Sequence, residues 1–361
     1  MVGQVSQIAT LTAKAITSNS LGSSGGGGGG SSVTAYVPVT LTNSQSSSTS
    51  SNFQQMVFFN PSQAGYSADE MANLSNIEFT TGANGAGTVL RAWMESGASK
   101  SATNTAVWVN LGGSTVAGSG GTLTIYMNFM SDNSPVTNGY TGYAPQSWCA
   151  SGCFQTSYAQ YDNWASVFTN YWNFAGTTLP SGWIAESSFS SYSVNNGLTI
   201  TGVAASGYLS TGISLSPPII IETYGNFPVE SLAIPVYNIF LGISANANLF
   251  TWQTAGAGGA GYYVQAYASG GNTEFIGTGV NGIFSLVIPT STTTYGQVNY
   301  GTPSTTSTAG NPITYPAALS NPYNSDGQAG TFDAPTTQTW LRTRAYPPSG
   351  VMPSFSFGGV A

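Results

Sequence analysis

TLTIYMNF, residues Thr122–Phe129, is the stretch that decides the fold. Apolar side chains stand at every second position, with Thr, Tyr and Asn between them. The apolar set is Leu123, Ile125, Met127 and Phe129. Alternation with a period of two predicts a β-strand that lays one face on an apolar core and turns the other toward polar surroundings.

The same signal recurs along the chain. Further strands are predicted at residues 36–42, 106–111, 197–202, 219–225, 237–244, 262–267 and 283–289. Turn-forming pairs such as Asn-Gly, Gly-Gly and Pro-Pro separate them, and no long amphipathic helix is found in the sequence. Short strands with this punctuation predict an all-β protein made of two β-sandwich or jelly-roll domains.

Composition divides the chain into segments. We predict an N-terminal extended strand at 1–21, a Gly/Ser linker at 22–32, a first sandwich at 33–146, a connector at 147–170 and a second sandwich at 171–361. The Pro-, Gly- and Ser-rich stretch Gln297–Phe332 is predicted to be an extended surface loop.

Charge is the anomaly of the composition. The 361 residues include 12 Asp and Glu, five Lys and Arg and no His, so charged residues make up 5% of the chain against roughly 25% in a typical soluble domain. Few side chains can then change their proton binding on unfolding, which favours adaptation to an acidic medium outside the cell. An ordinary secreted protein rich in Ser and Thr would have the same composition.

Several classes of partner are disfavoured by the same composition. No basic patch is available for phosphate backbones, so no nucleic-acid partner is expected. No stretch reaches 18 apolar residues, so no membrane span is expected. The start, MVGQVSQ, does not have the form of a signal peptide, and an extracellular or cell-surface location therefore implies a leader that has been removed.

Two cysteines lie four positions apart in SWCASGCF. Cys149 and Cys153 are predicted to close a small disulfide loop in an oxidising compartment, and two unpaired thiols are the alternative. Zinc would need further Cys or His ligands that the sequence lacks, so no metal site and no cofactor are predicted. The stretch Asn321–Gln328 offers oxygen ligands for calcium, but a plain turn is favoured.

Two stretches carry a resemblance to known modules. Val37–Phe129 resembles an uncharacterised β-sandwich module of secreted archaeal and bacterial surface proteins, on the pieces Ile77–Phe79, Trp93, Ala106–Val109 and Thr124–Phe129. Ser166–Gly202 resembles the entry into a concanavalin/laminin-G-like jelly roll, and Trp340–Val360 resembles the last strands of such domains in surface proteins of small acidophilic archaea. The resemblance implies fold and compartment, and it implies no particular activity.

Enzyme activity is not expected from the sequence. Glycosidases need two carboxyl groups facing one cleft, whereas Glu222 has no acidic neighbour two residues away and Asp69 adjoins Glu70 directly. Without His, a Ser nucleophile would lack its usual base. We therefore predict a chain that is not an enzyme, and one sequon, at Asn73, makes that residue a candidate for glycosylation.

The N-terminal peptide suggests a role. QVSQIATLTAKAITS, residues 4–18, fits a strand better than a helix because of its Thr content, and it is tethered by six glycines. Its candidate intersubunit positions are Val5, Ile8, Leu11, Ala13, Ala15 and Ile16. Donation of this strand to the sheet edge of another copy would build a pilus-like filament; pairing with its own domain and disorder are the alternatives.

Three functions follow from these features. The leading hypothesis is an extracellular structural subunit that polymerises head to tail with copies of itself by strand donation. The alternatives are a monomeric cell-surface protein that binds carbohydrate or acts as an adhesin, and a viral coat protein.

Overall fold

The computed structural model describes most of the chain after residue 31. It describes residues 32–361 without 64, 67, 96, 146–156, 186–191, 204–207, 229–236, 246–247, 256–260, 268–272, 278–280, 305, 309–316 and 324–329. These residues form two compact units: the described part of 32–167 with Pro347–Ala361, and the described part of Phe168–Tyr346.

The first unit is a β-sandwich. Its strands are β1 Val33–Asn43, β2 Gln54–Phe59, β3 Ile77–Thr80, β4 Val89–Leu90, β5 Ala92–Met94, β6 Thr105–Asn110, β7 Gly121–Met130 and β8 Thr141–Tyr143. The only α-helix described here is the single turn α1, Ser134–Thr137, and a 3-10 turn follows at Trp164–Ser166.

The second unit is also a β-sandwich. Its strands are β9 Asn170–Trp172, β10 Ile184–Ala185, β11 Tyr192–Val194, β12 Leu198–Val203, β13 Tyr208–Leu215, β14 Ile219–Asn226, β15 Tyr237–Ala245, β16 Asn248–Ala255, β17 Gly261–Tyr267, β18 Thr273–Gly277, β19 Asn281–Ile288, β20 Thr293–Val298, β21 Ser307–Thr308, β22 Ala317–Tyr323 and β23 Gly330–Ala345.

The chain returns to the first unit at its C-terminal end. After a 3-10 turn at Pro348–Gly350, β24 (Ser354–Phe357) pairs antiparallel with β1. The first sandwich therefore has a sheet in the order β24-β1-β7-β3-β4 and a second sheet in the order β2-β6-β5-β8.

Register explains why the first sandwich forms. Val37 lies opposite Met127, and Val39 lies opposite Ile125, so the apolar positions of both strands share one face. All four side chains are buried. A shift by one residue would turn this whole set to the other face, so burial of one face fixes the pairing.

The second sandwich has two larger sheets. One has the order β10-β13-β22-β15-β16-β17-β18, and the other has the order β11-β12-β23-β14-β19-β20-β21, with β9 pairing beside β23. Between them lies an apolar core that includes Trp183, Leu198, Ile221, Phe284, Leu286 and Leu341.

The predicted all-β fold is confirmed, and each strand predicted between residues 36 and 289 overlaps a strand of the structure. The predicted N-terminal strand at 1–21 lies outside the described residues. Two details differ. The predicted loop Gln297–Phe332 contains β22, an inner strand of its sheet, so the prediction of an extended surface loop is wrong there. The predicted second sandwich, 171–361, differs at its end, because Phe355 and Phe357 pair beside Leu41 and Val39 of the first.

No helix among the described residues is long and apolar enough to cross a membrane.

Candidate functional site

The polar face of the β24-β1-β7 sheet is a candidate binding surface. Cross-strand partners place Thr40 beside Thr124 and Thr42 beside Thr122, while Ser356 lies opposite Thr40 on the other side of β1. We call this surface the hydroxyl face. Its members are Tyr36, Pro38, Thr40, Thr42, Thr122, Thr124, Tyr126, Ser354 and Ser356.

Tyrosines and threonines are paired across the hydroxyl face. The rings of Tyr36 and Tyr126 meet edge to face with their centroids 6.0 Å apart. The hydroxyl groups of Thr40 and Thr124 lie 3.3 Å apart, within hydrogen-bonding distance. Neighbouring strands lie about 4.8 Å apart and side chains on one face repeat about every 6.8 Å, so the hydroxyls form a regular grid.

No member of the hydroxyl face carries a formal charge. Thr122, Ser354 and Ser356 are exposed, and the two tyrosines are partly exposed. Tyrosine offers an apolar ring with a polar edge, and each hydroxyl can both donate and accept a hydrogen bond. This chemistry suits a neutral ligand rich in hydroxyl groups.

The second sandwich holds a buried ion cluster on the outer face of its β23-β14-β19 sheet. Arg342 Nε donates a hydrogen bond to Glu222 Oε2 at 2.8 Å. A terminal nitrogen of the same guanidinium lies 2.7 Å from Oε2 and completes the ion pair. Arg344 Nε donates to Glu222 Oε1 at 2.8 Å, and Ser285 Oγ donates to the same oxygen at 2.9 Å.

Charge satisfaction keeps Glu222 ionised. Burial pushes the pKa of this carboxyl upward, but the charges and hydrogen bonds of Arg344 and Arg342 outweigh it and hold the pKa below its usual value. Its cross-strand neighbours are Ser285 and Arg342 rather than a second acid. Glu222 is therefore an ionised acceptor of hydrogen bonds from Ser285, Arg342 and Arg344, and its role in this structure is to hold these strands together.

Aromatic rings enclose the same cluster. The guanidinium of Arg342 lies 4.5 Å from the ring centroids of both Phe168 and Trp340. Tyr171 and Tyr224 stack on Trp340 at centroid distances of 6.3 and 6.0 Å. Phe168, Tyr171, Trp340 and Arg342 are buried, so these rings pack the interior and are not a ligand platform in this structure.

The adjacent acids Asp69 and Glu70 lie in a turn region and have different environments. Asp69 is partly exposed, whereas Glu70 is buried. Adjacent residues would point to opposite faces if they lay on a strand, but this segment is not a strand, and the two acids differ in exposure. They do not form a matched pair in one cleft.

The glycosylation candidate Asn73 is partly exposed. Its side-chain oxygen accepts a hydrogen bond from the Ser75 backbone N–H at 3.1 Å. Ser75, the third residue of the sequon, is fully buried, and its hydroxyl bonds to the Asn133 side chain at 2.5 Å. Glycosylation at Asn73 stays a prediction.

Other predicted site residues lie outside the described part of the chain. They are Val5, Ile8, Leu11, Ala13, Ala15, Ile16, Cys149 and Cys153. The calcium candidate Asn321–Gln328 falls largely outside it as well. Strand donation, the disulfide, the filament and the extracellular location therefore stay predictions; deletion of residues 1–21 would test the first.

No family model matches the chain. It is 30% identical, over a 354-residue alignment, to uncharacterized protein 562 of Sulfolobus islandicus rod-shaped virus 1. The alignment covers 89% of this chain and 58% of the viral protein, so the chain spans little more than half the length of that relative. The similarity to archaeal surface modules has no family match and stays a prediction.

The solved structures that the chain resembles in fold include glycoside hydrolases. They include the endo-β-1,3-glucanase of Pyrococcus furiosus (13% identity, TM-score 0.40, 54% of this chain and 95% of that one). β-Agarase A of Zobellia galactanivorans matches at 10% identity and a TM-score of 0.37, over 52% and 90% of the two chains. A family 16 glycosyl hydrolase of Mycobacterium smegmatis matches at 13% identity and 0.36, over 49% and 99%.

The prediction that the chain is not an enzyme is contradicted by this comparison, because its structural neighbours are glucanases and agarases. Scattered acids in a sequence are a weak basis for excluding a hydrolase, since folding can bring distant carboxyl groups together. The similarity is one of fold, and at these TM-scores it assigns no activity to this chain.

Proposed function

We propose that the chain is a virus-encoded coat or surface protein that binds neutral carbohydrate through the hydroxyl face of its first sandwich. The observation that carries the proposal is the grid of uncharged hydroxyls beside the Tyr36–Tyr126 pair. The 30% identity to a viral protein across 89% of the chain supports the viral setting.

The chemistry of the face supports a sugar ligand. Carbohydrate sites combine aromatic rings, which cover the C–H faces of sugar rings, with a few polar groups that fix orientation. Tyr36 and Tyr126 supply the rings, and Thr40, Thr124 and Thr122 supply donors and acceptors along the neighbouring strands. Because none of these side chains carries a formal charge, a neutral glycan can cover them without removing water from an ion.

Isothermal titration with the full chain tests the binding. Soluble neutral oligosaccharides, among them laminari- and agaro-oligosaccharides, are titrated beside a sulfated oligosaccharide. We expect binding to a neutral ligand and at least a tenfold weaker response from Tyr126→Ala, which removes a ring and about 1.4 kcal/mol of contact. Tyr126→Phe keeps the ring and is the matched control.

Two results would overturn the carbohydrate proposal. One is no binding to any neutral glycan, and the other is binding that Tyr126→Ala leaves unchanged. Chromatography of the incubated glycans adds a further readout, because shortened products would show that the chain hydrolyses the glycan as well as binding it.

The viral part of the proposal has its own test. Mass spectrometry of washed particles of the encoding virus is expected to find peptides of both sandwiches. Their absence from particles would refute a coat or surface role even where glycan binding holds.

A further inference from the structure

Two buried acids flank the same end of β7 in the first sandwich. Glu78 on β3 lies directly opposite Asn128 of β7 on the polar face of the sheet. Glu70 lies near Tyr66, whose ring packs 5.4 Å from that of Phe129 on the core side of β7. Glu78 therefore lies beside Asn128 on the polar face, and Glu70 is linked to Phe129 on the core side through the Tyr66 ring.

Glu70 is buried, and the charge of Lys100 offsets the effect of its burial only in part. It is 5% exposed, and neither of its side-chain oxygens has a hydrogen-bond partner among the described residues. The charged neighbours that act on it are Lys100 and Asp69. The Lys100 ammonium donates at 3.0 Å to the backbone carbonyl of Glu70 rather than to its carboxyl group.

Glu78 forms no ion pair with another residue in the described part of the chain. It is 6% exposed, and Arg91 is the cation that acts on it. The Arg91 guanidinium is directed elsewhere, because it donates to the Gly139 carbonyl at 3.0 Å and lies 4.6 Å from the centroid of the Tyr140 ring. The polar face around Glu78 also carries the hydroxyls of Tyr36, Tyr126 and Thr80.

Asn128, the cross-strand neighbour of Glu78, is held in a network of polar contacts. Asn128 donates to the Thr80 hydroxyl at 2.9 Å and accepts from the Gly85 backbone N–H at 3.0 Å, which ties the β3–β4 loop to β7. Asn128 and Thr80 are fully buried. At 6% exposure a negative charge on Glu78 would be poorly hydrated, and a poorly hydrated carboxylate is costly.

We propose that this end of the first sandwich is an acid clasp, formed by Tyr66, Glu70, Glu78, Asn128 and Phe129, that is closed while both acids are protonated and loosens when they ionise. The clasp borders the hydroxyl face, because Asn128 lies between Glu78 and Tyr36 across the strands. Its pH response is measured without glycan, so it can fail or hold separately from the proposed glycan binding. A protein that is tight in an acidic medium would loosen on reaching a near-neutral compartment.

The direction of the effect follows from proton binding. Burial raises the pKa of Glu70 from 4.5 to about 8, with Lys100 opposing and Asp69 adding to the rise. Burial likewise raises the pKa of Glu78 from 4.5 to about 7, against the charge of Arg91. Since the folded state binds these protons more tightly, stability is full below pH 4.5 and falls as the pH rises toward 7 and 8.

Hydrogen exchange of the full chain, followed by mass spectrometry between pH 5 and 9, tests the clasp. After correction for the intrinsic exchange rate, peptides covering β3 and β7 are expected to lose at least about a hundredfold in protection, because each group can contribute up to tenfold per pH unit. Peptides covering β14 and β23 are the internal reference, since the pKa of Glu222 is held below its usual value and this carboxylate stays ionised in that range.

Matched variants assign the effect to the two acids. Glu70→Gln, Glu78→Gln and the double variant are expected to flatten the pH dependence stepwise. Asp132→Asn, which removes an exposed carboxylate just beyond the end of β7, is expected to keep the wild-type slope.

Protection of β3 and β7 in the wild type that does not change between pH 5 and 9 would overturn the proposal. The proposal would also be overturned if the double variant Glu70→Gln/Glu78→Gln kept the wild-type dependence of protection on pH. The wild-type profile decides the matter by itself if the double variant does not fold.

Discussion

Replacement of Glu222 by Gln should destabilise the second sandwich strongly. Glu222 accepts hydrogen bonds of 2.8 Å from Nε of Arg342 and of Arg344, and a terminal nitrogen of Arg342 forms an ion pair with it at 2.7 Å. The side chains of these three residues are 5% exposed or less. A glutamine of the same shape keeps one acceptor oxygen but turns an NH2 group toward arginine donors. Two buried guanidinium groups would then lack their counter-charge.

Breaking one partner of a buried ion pair costs about 3–5 kcal/mol. A unit of this size loses roughly 2–4 °C in Tm per kcal/mol, so the second sandwich should melt about 6–20 °C earlier. The pH response should also change, because the contribution of Glu222 to wild-type stability is lost as the pH falls through its lowered pKa, and the glutamine variant has no such contribution to lose.

Differential scanning calorimetry measures the effect, and hydrogen exchange assigns each transition to a sandwich. Ser285→Ala is the matched control, since it removes one hydroxyl donor to Glu222 and leaves both ion pairs, for an expected cost of about 1–2 kcal/mol. If Glu222→Gln melts within 2 °C of the wild type, the arginines are not buried charges that depend on Glu222, and the reasoning fails.

Two further substitutions test the packing of the second sandwich. Gly225→Ala should cost about 1–3 kcal/mol or prevent folding, because its Cβ would lie 2.0 Å from the Thr337 carbonyl oxygen at the β14–β23 bulge. Gly282→Ala would meet the Asn299 side chain at 2.6 Å rather than backbone, and it should cost less in the same urea titration although it disturbs the hydrogen bond from the Ile283 N–H to Asn299. Leu341→Ala should cost about 2–5 kcal/mol because this side chain is fully buried, whereas Leu341→Met should cost less than about 1.5; equal urea midpoints for the two would contradict the packing of Leu341.

The strands of this protein were predictable because local alternation decides them. Leu123, Ile125 and Met127 stand at every second position, so a strand places them on one face, and that face lies against the core. The pattern can be recognised without knowledge of any distant residue. β22 was missed because its sequence, AALSNPY, has neither clear alternation nor β-branched residues, and its place between β13 and β15 comes from pairing across the sheet.

The sites depend on contacts that the sequence does not state. The two arginine partners of Glu222, Arg342 and Arg344, lie 120 and 122 residues away from it in the sequence. A local signal did exist: Trp340, Arg342 and Arg344 alternate on one strand, which puts two cations on one face and calls for a buried acid opposite. The polar positions of β1 and of β7 can each be recognised in the sequence. The contact between Tyr36 and Tyr126 cannot, because it depends on the register in which the two strands pair.

The pairing of β24 with β1 makes the first sandwich discontinuous in the chain, with the second inserted into it. During synthesis β1 leaves the ribosome roughly 300 residues before its partner, and at 5–20 residues per second it waits roughly 15–60 s. Through that interval the flank of β1 that Phe355 and Phe357 will later cover is open to neighbouring nascent chains, so crowded polysomes are where this protein is most exposed to mispairing.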